Sequence, residues 1–192
     1  MKNRIVSFVL IITFLPFCWL AMQAVHETGH VIGALMHDVS VEYVLLGPLT
    51  ISQTITGETE HKRIITWLGP VFGVIFPVAL WLMARLFQWP ELFLFRFFAG
   101  FCLVANGVYL LFGPVDGLTD TGVLLSYGAS RWQLILFGVI ATVAGFLLWH
   151  GQSNDFGIGK QPKAVQYRTV LISSTLLLLI IFVEIVFFRP TL

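Results

Sequence analysis

Charge is what this chain has least of. Asp, Glu, Lys and Arg make up only 11% of its 192 residues, against roughly 25% in an ordinary soluble domain. That shortage excludes a solvated globular surface over most of the sequence. The few charges nearly cancel, to a net +1, which excludes the basic face that nucleic-acid binding requires. No nucleic-acid partner is expected. Cysteine is equally scarce. Cys18 and Cys102 each lie inside an apolar run, which excludes a disulfide scaffold and a cysteine-built metal site and reads as two buried thiols. Apolar residues stand where charges are missing. They account for 57% of the chain, with 18 Phe and 6 Trp among them, and the mean hydropathy is +0.89. The partner this composition demands is a lipid bilayer.

A helix crossing a bilayer needs about 20 apolar residues. Five runs qualify, at about residues 5–36, 64–87, 92–112, 132–149 and 169–188. The fold class predicted is an all-α polytopic membrane protein of about five transmembrane helices in one integral-membrane domain over 1–192. Lys2 and Arg4 ahead of the first run resemble the basic start of a secretory leader. The apolar pattern continues past Ala24 and carries polar residues of its own, so this run is read as a retained helix, with a kink expected at Pro16. Residues 39–46 and 49–56 are rich in Val, Ile, Leu, Tyr and Thr and flank Gly47-Pro48. They predict a short β-hairpin-like insert between the first two helices. It serves either as a cap on the bundle or as an exposed strand edge that pairs with an extended peptide. Residues 151–167 read as a solvated linker.

The first run contains His26-Glu27-Thr28-Gly29-His30. Two histidines four apart share a helix face, which lets both imidazoles reach one zinc ion and sets the intervening glutamate beside a water held by that ion. A carboxylate and two imidazoles in hydrocarbon cost several kcal/mol unless paired, and a metal is the natural partner. A catalytic zinc usually has three protein ligands. Asp116 and Asp120 follow the third helix, and helix alternation brings that end to the same side of the membrane as His26 and His30. The metal-ligand candidates are therefore His26, His30, Asp120 and Asp116, for one Zn2+ per chain. Glu27 is the candidate general base. His37 would lie about 10 Å beyond His30 along a continuous helix, too far for the same ion. It reads as interfacial, as do His61 and His150. Arg85, Arg96 and Glu184 are read as reaching the headgroup region.

These motifs resemble the site-2 protease family of intramembrane zinc metalloproteases. The match rests on HETGH, on Leu68-Gly69-Pro70-Val71-Phe72-Gly73, which is similar to the family's Gly-Pro motif, and on Asn106 with the aspartate loop after it, which is similar to its Asn…Asp-Gly motif. It spans about residues 26–128. Gly73 stands where the family often has Asn, and the Asn-to-Asp interval is longer than usual. Asp116-Gly117 matches the family's letters, whereas Asp120 matches by position, ahead of the apolar Val123-Leu124-Leu125. Asp120 is preferred as third ligand, with Asp116 then orienting a histidine from behind.

The resemblance implies proteolysis of single-span membrane proteins within or near the bilayer, by a multi-pass protein of the cell membrane. Asn106 is either the group that hydrogen-bonds the substrate backbone or the tetrahedral intermediate or a helix-packing amide bonded to a neighbouring helix. The basic excess on the N-terminal side places the N-terminus in the cytoplasm, while the resemblance implies the opposite insertion. The alternative function is a non-catalytic metal-binding scaffold or a transporter subunit.

Overall fold

The computed structural model describes residues 2–116 and 119–188, with side chains for 4–113 and 120–188. Helix α1 runs over Lys2–Met36, followed by strands β1 (Val41–Leu45) and β2 (Gln53–Thr56), then α2 (Lys62–Leu86), α3 (Leu92–Asp116), α4 (Thr119–Ser126), α5 (Arg131–Trp149) and α6 (Tyr167–Phe187). Helices α1, α2, α3, α5 and α6 are long and apolar enough to cross a membrane. The protein is thus helical and polytopic with a small two-stranded sheet, as the hydropathy predicts.

At 1.5 Å per residue, α1 is about 52 Å long, well beyond a hydrocarbon core of about 30 Å. Pro16 lies inside it without interrupting it, because a proline removes one backbone donor and neighbouring helices support the rest. The helix continues through Gly33, so His37 stays beyond the reach of His30. Its ring stacks instead on that of His61, with centroids 4.4 Å apart, closing the base of the hairpin.

The hairpin is antiparallel, with Val44 opposite Thr54 and Leu45 opposite Gln53, and it bulges between Val41 and Tyr43. Both strands are shorter than the sequence predicts, and the connection covers 46–52 rather than a tight turn. The alternation of apolar and polar residues continues there, but Leu49 and Ile51 are exposed and do not pair.

Two apolar clusters organise the bundle. Leu10, Phe14 and Cys18 of α1 meet Leu94 of α3 and Phe156 of the linker. The linker segment predicted to be solvated is therefore partly an anchor. On the opposite side, Leu124 of α4 is buried against Leu110 of α3 and Leu134 of α5. Helices α3 and α5 approach closely where Gly107 meets Gly138; a Cβ at Gly107 would lie 2.9 Å from the Gly138 carbonyl. Such small-residue contacts suit helix packing in lipid, where no hydrophobic force drives helices together.

Candidate functional site

Four buried polar residues of α1 fall on one stripe. Gln23, His26, Glu27 and His30 are all buried, and their spacing of three and four places them on one helix face. This face packs against α2 and α3 and lies beneath the hairpin. Gly29 is required by the first of these contacts, since a Cβ there would collide with the Leu68 carbonyl of α2.

Each histidine has one nitrogen fixed from behind. His30 Nδ1 lies 3.0 Å from the Ile65 carbonyl. A carbonyl only accepts, so Nδ1 carries the proton and donates it. His26 Nδ1 lies 2.7 Å from Asn106 Oδ1. The orientation of that amide is set by its other end, where Nδ2 donates to the Cys102 carbonyl at 2.9 Å. His26 Nδ1 is therefore also a donor, which leaves Nε2 of each ring as the nitrogen free to bind a metal.

Those two nitrogens face each other at 3.1 Å, and Asp120 Oδ2 lies 2.8 Å from His26 Nε2 and 3.2 Å from His30 Nε2. Three electron-rich atoms converge on one point, an arrangement that calls for positive charge between them. Tetrahedral zinc with bonds of roughly 2.0–2.1 Å would separate its ligands by about 3.3 Å. The observed spacings fit with little adjustment. His26, His30 and Asp120 are thus a possible metal-binding triad. With protons in place of an ion the same geometry acts on the acid. Burial pushes the Asp120 carboxyl up, but hydrogen bonds from His26 and His30 and then their charge outweigh it and hold the carboxyl well below the usual carboxylate range.

Asp120 reaches this point because α4 is anchored one turn later by Leu124, which is fully buried. The Tyr109 hydroxyl accepts a hydrogen bond from the Asp120 backbone N–H at 3.1 Å, and the Tyr109 ring meets His26 edge-on. The Asp120 side chain is 20% exposed against 10% and 8% for His26 and His30, so the triad is most open on the aspartate side. Asp116 ends α3, and its side chain lies outside the described residues.

Two sequence expectations change in detail. Asn106, read above as a contact to the substrate or intermediate or as a packing amide, has both ends of its amide occupied within the protein and is 1% exposed. In this geometry it is a positioning residue for His26. Gly73 lacks a polar side chain because Asn106 fills that space: a Cβ at 73 would lie 2.8 Å from the Asn106 amide. Glu184, expected at the headgroups, is 2% exposed. It lines, with Leu46–Thr50 of the hairpin connection, a cleft of about 490 Å3. Arg96 does end near polar groups, donating to the His150 carbonyl.

The hairpin contributes what sequence reasoning did not assign. Thr54 donates to Glu27 Oε2 at 2.6 Å, and the Ser52 N–H donates to Gln23 Oε1 at 3.0 Å. Gln23 carried a legible signal, a lone amide in an apolar helix four residues before Glu27. The Ile65 carbonyl carried none, since every residue has one.

Gly69 of the Gly-Pro segment packs flat against the triad. A Cβ there would collide with the His30 ring and lie 2.9 Å from His26 Nε2. If the triad holds a metal, Gly69→Ala should weaken binding of added zinc by about tenfold or more, the scale of other changes that tilt metal ligands, while helix content by circular dichroism stays constant. Unchanged zinc affinity would remove the packing argument.

The chain matches no family model, no curated protein and no solved structure.

Proposed function

We propose that the chain is a zinc-dependent intramembrane endopeptidase that cleaves single-span membrane proteins, in the manner of the site-2 protease family that its motifs resemble. The observation that carries this reading is the convergence of His26 Nε2, His30 Nε2 and Asp120 Oδ2 within 3.2 Å of one another, beside a glutamate that ligates nothing. Two histidines and one carboxylate leave a fourth position open, which distinguishes catalytic from structural zinc sites. A zinc ion held there supplies Lewis acidity, polarising a peptide carbonyl and acidifying water.

The chain's own residues do the rest. Glu27 takes the proton of the attacking water as general base and returns it to the leaving amine as the C–N bond breaks. Asn106 and the Ile65 carbonyl hold the imidazole tautomers that leave both Nε2 atoms for the metal. Burial of Glu27, which is 4% exposed, keeps bulk water from diluting these interactions. A membrane-spanning helix hides its carbonyls, so the substrate must unwind locally. The outer edge of the hairpin is suited to hold the unwound segment by backbone hydrogen bonds. We place the protein in the cell membrane.

A non-catalytic metal-binding scaffold or transporter subunit would use the same triad but has no need of Glu27. Comparing membrane proteomes that contain the wild type or Glu27→Gln tests the choice. Shortened single-span proteins that appear only with the wild type support the peptidase; identical proteomes with zinc bound in both support the scaffold. The edge has its own test. A proline at a β2 residue whose N–H faces away from β1 spares the ladder and blocks strand addition. It should cut cleavage about tenfold or more, a loss of roughly 1.4 kcal/mol in transition-state binding. Undiminished cleavage by a folded variant would end the strand-pairing idea.

A further inference from the structure

Glu27 is held by a strand as well as by its own helix. Gln23 and Glu27 are one helical turn apart, about 6 Å along α1. Ser52 and Thr54 are two residues apart in extended chain, about 6.7 Å. The two repeats nearly coincide, and both pairs are bonded: Ser52 N–H to Gln23 Oε1 at 3.0 Å and Thr54 Oγ1 to Glu27 Oε2 at 2.6 Å. The end of the connection and the start of β2 thus lie along the polar stripe of α1 in register with it.

Thr54 is itself immobilised. It pairs with Val44 in the middle of the ladder. Two residues on, and so on the same face of the strand, the Thr56 hydroxyl accepts from Lys62 Nζ at 2.8 Å, which ties the hairpin to the start of α2. Threonine also has few χ1 rotamers to choose from.

We propose that Thr54 is the positioning residue of the general base, so that Glu27 is aimed only while the hairpin lies on α1. This rests on the reading of Glu27 as that base. One carboxylate oxygen, Oε2, is committed to the Thr54 hydroxyl. The other, Oε1, takes the water proton and later delivers it to the amine; Thr54 keeps its own proton throughout. A carboxylate without this anchor samples further rotamers and spends less time in line with the water. A peptide that adds to the hairpin edge would press on the same strand that aims the base, linking substrate docking to catalysis.

The test uses the full chain in lipid vesicles, loaded with zinc, as wild type, Thr54→Val and Thr54→Ser. Valine keeps the shape and removes the donor, while serine keeps the donor. With a single-span peptide that the wild type cleaves, Thr54→Val should lower kcat about tenfold or more at unchanged KM and zinc content, and Thr54→Ser should restore it to within about twofold. Infrared difference spectra with zinc alone give a readout that needs no turnover. The Glu27 carboxylate band, identified by its loss in Glu27→Gln, should move in Thr54→Val and stay in Thr54→Ser. Thr54→Cys, a weak donor of similar size, serves in the same comparison should the valine variant not fold. An unmoved band with unchanged kcat in Thr54→Val, or equal losses in the valine and serine variants, overturns the proposal. A zinc-loaded wild type that cleaves no peptide overturns the peptidase reading instead, and the infrared comparison still decides whether Thr54 holds Glu27.

Discussion

On the peptidase reading proposed here, Glu27→Gln should stop cleavage and leave the zinc bound. Glutamine has the shape of glutamate, and its amide oxygen still accepts from Thr54, so the hairpin contact at 2.6 Å survives the change. None of the three atoms of the triad belongs to residue 27, which is why metal content should stay at one ion per chain. What the amide lacks is the ability to take a proton. Removing a general base costs about 10²–10⁴-fold in rate, and the other described carboxylate at the site, Asp120, is committed to the triad. Single-turnover cleavage in vesicles, read beside zinc content by elemental analysis, checks both halves. A glutamine variant that cleaves at the wild-type rate would remove Glu27 from the chemistry. One that loses its zinc would make residue 27 structural.

Asp120→Ala should release the ion. Without the carboxylate, two imidazole nitrogens 3.1 Å apart retain no anionic partner, and two neutral ligands seldom hold zinc against water. The loss of affinity should exceed the roughly 10–100-fold typical of residues that merely support a ligand. Asp116→Ala, made in parallel, should retain zinc, because Asp120 already supplies the carboxylate oxygen of the triad. Titration with a competing chelator separates the two variants directly. The opposite pattern, zinc lost with Asp116 and kept with Asp120, would transfer the third ligand to the end of α3.

The two experiments divide the site by function. The triad can be present without the base, as a scaffold would have it, whereas the base has no role without the triad. The structural supports differ in the same way. Asn106 and the Ile65 carbonyl act on the histidines, Leu124 and Tyr109 on the aspartate, and Thr54 on the glutamate. A substitution in one support should therefore affect metal affinity or turnover according to which residue it contacts. Additivity is not expected between Asn106 and His26, which share a hydrogen bond.

Much of this was legible in the chain. The five spans follow from hydropathy because lipid leaves a backbone few options besides the helix. His26, Glu27 and His30 follow from a spacing that a helix converts into one face. That a third ligand could come from the aspartates after the third span follows from the usual ligand count of catalytic zinc, with helix alternation as a check that they fall on the same side. The choice between Asp116 and Asp120 was weaker, because letters favoured one and helix-start spacing the other. The buried Glu184 was misplaced because a carboxylate three residues from a helix end looks solvated unless one knows that the connection at 46–50 folds over it. Thr54 gave no signal, since threonine in a strand is ordinary.

The sequence by itself determined the solvent, the number of crossings and the chemistry of the HETGH face, since these depend on composition and on periodicities of a few residues. Only the tertiary structure showed Asp120 meeting the histidines, why positions 69 and 73 are glycine, and that a hairpin reaches down to the glutamate. Those facts concern residues 27–94 positions apart, and contacts over such distances depend on how helices pack, which no local pattern encodes.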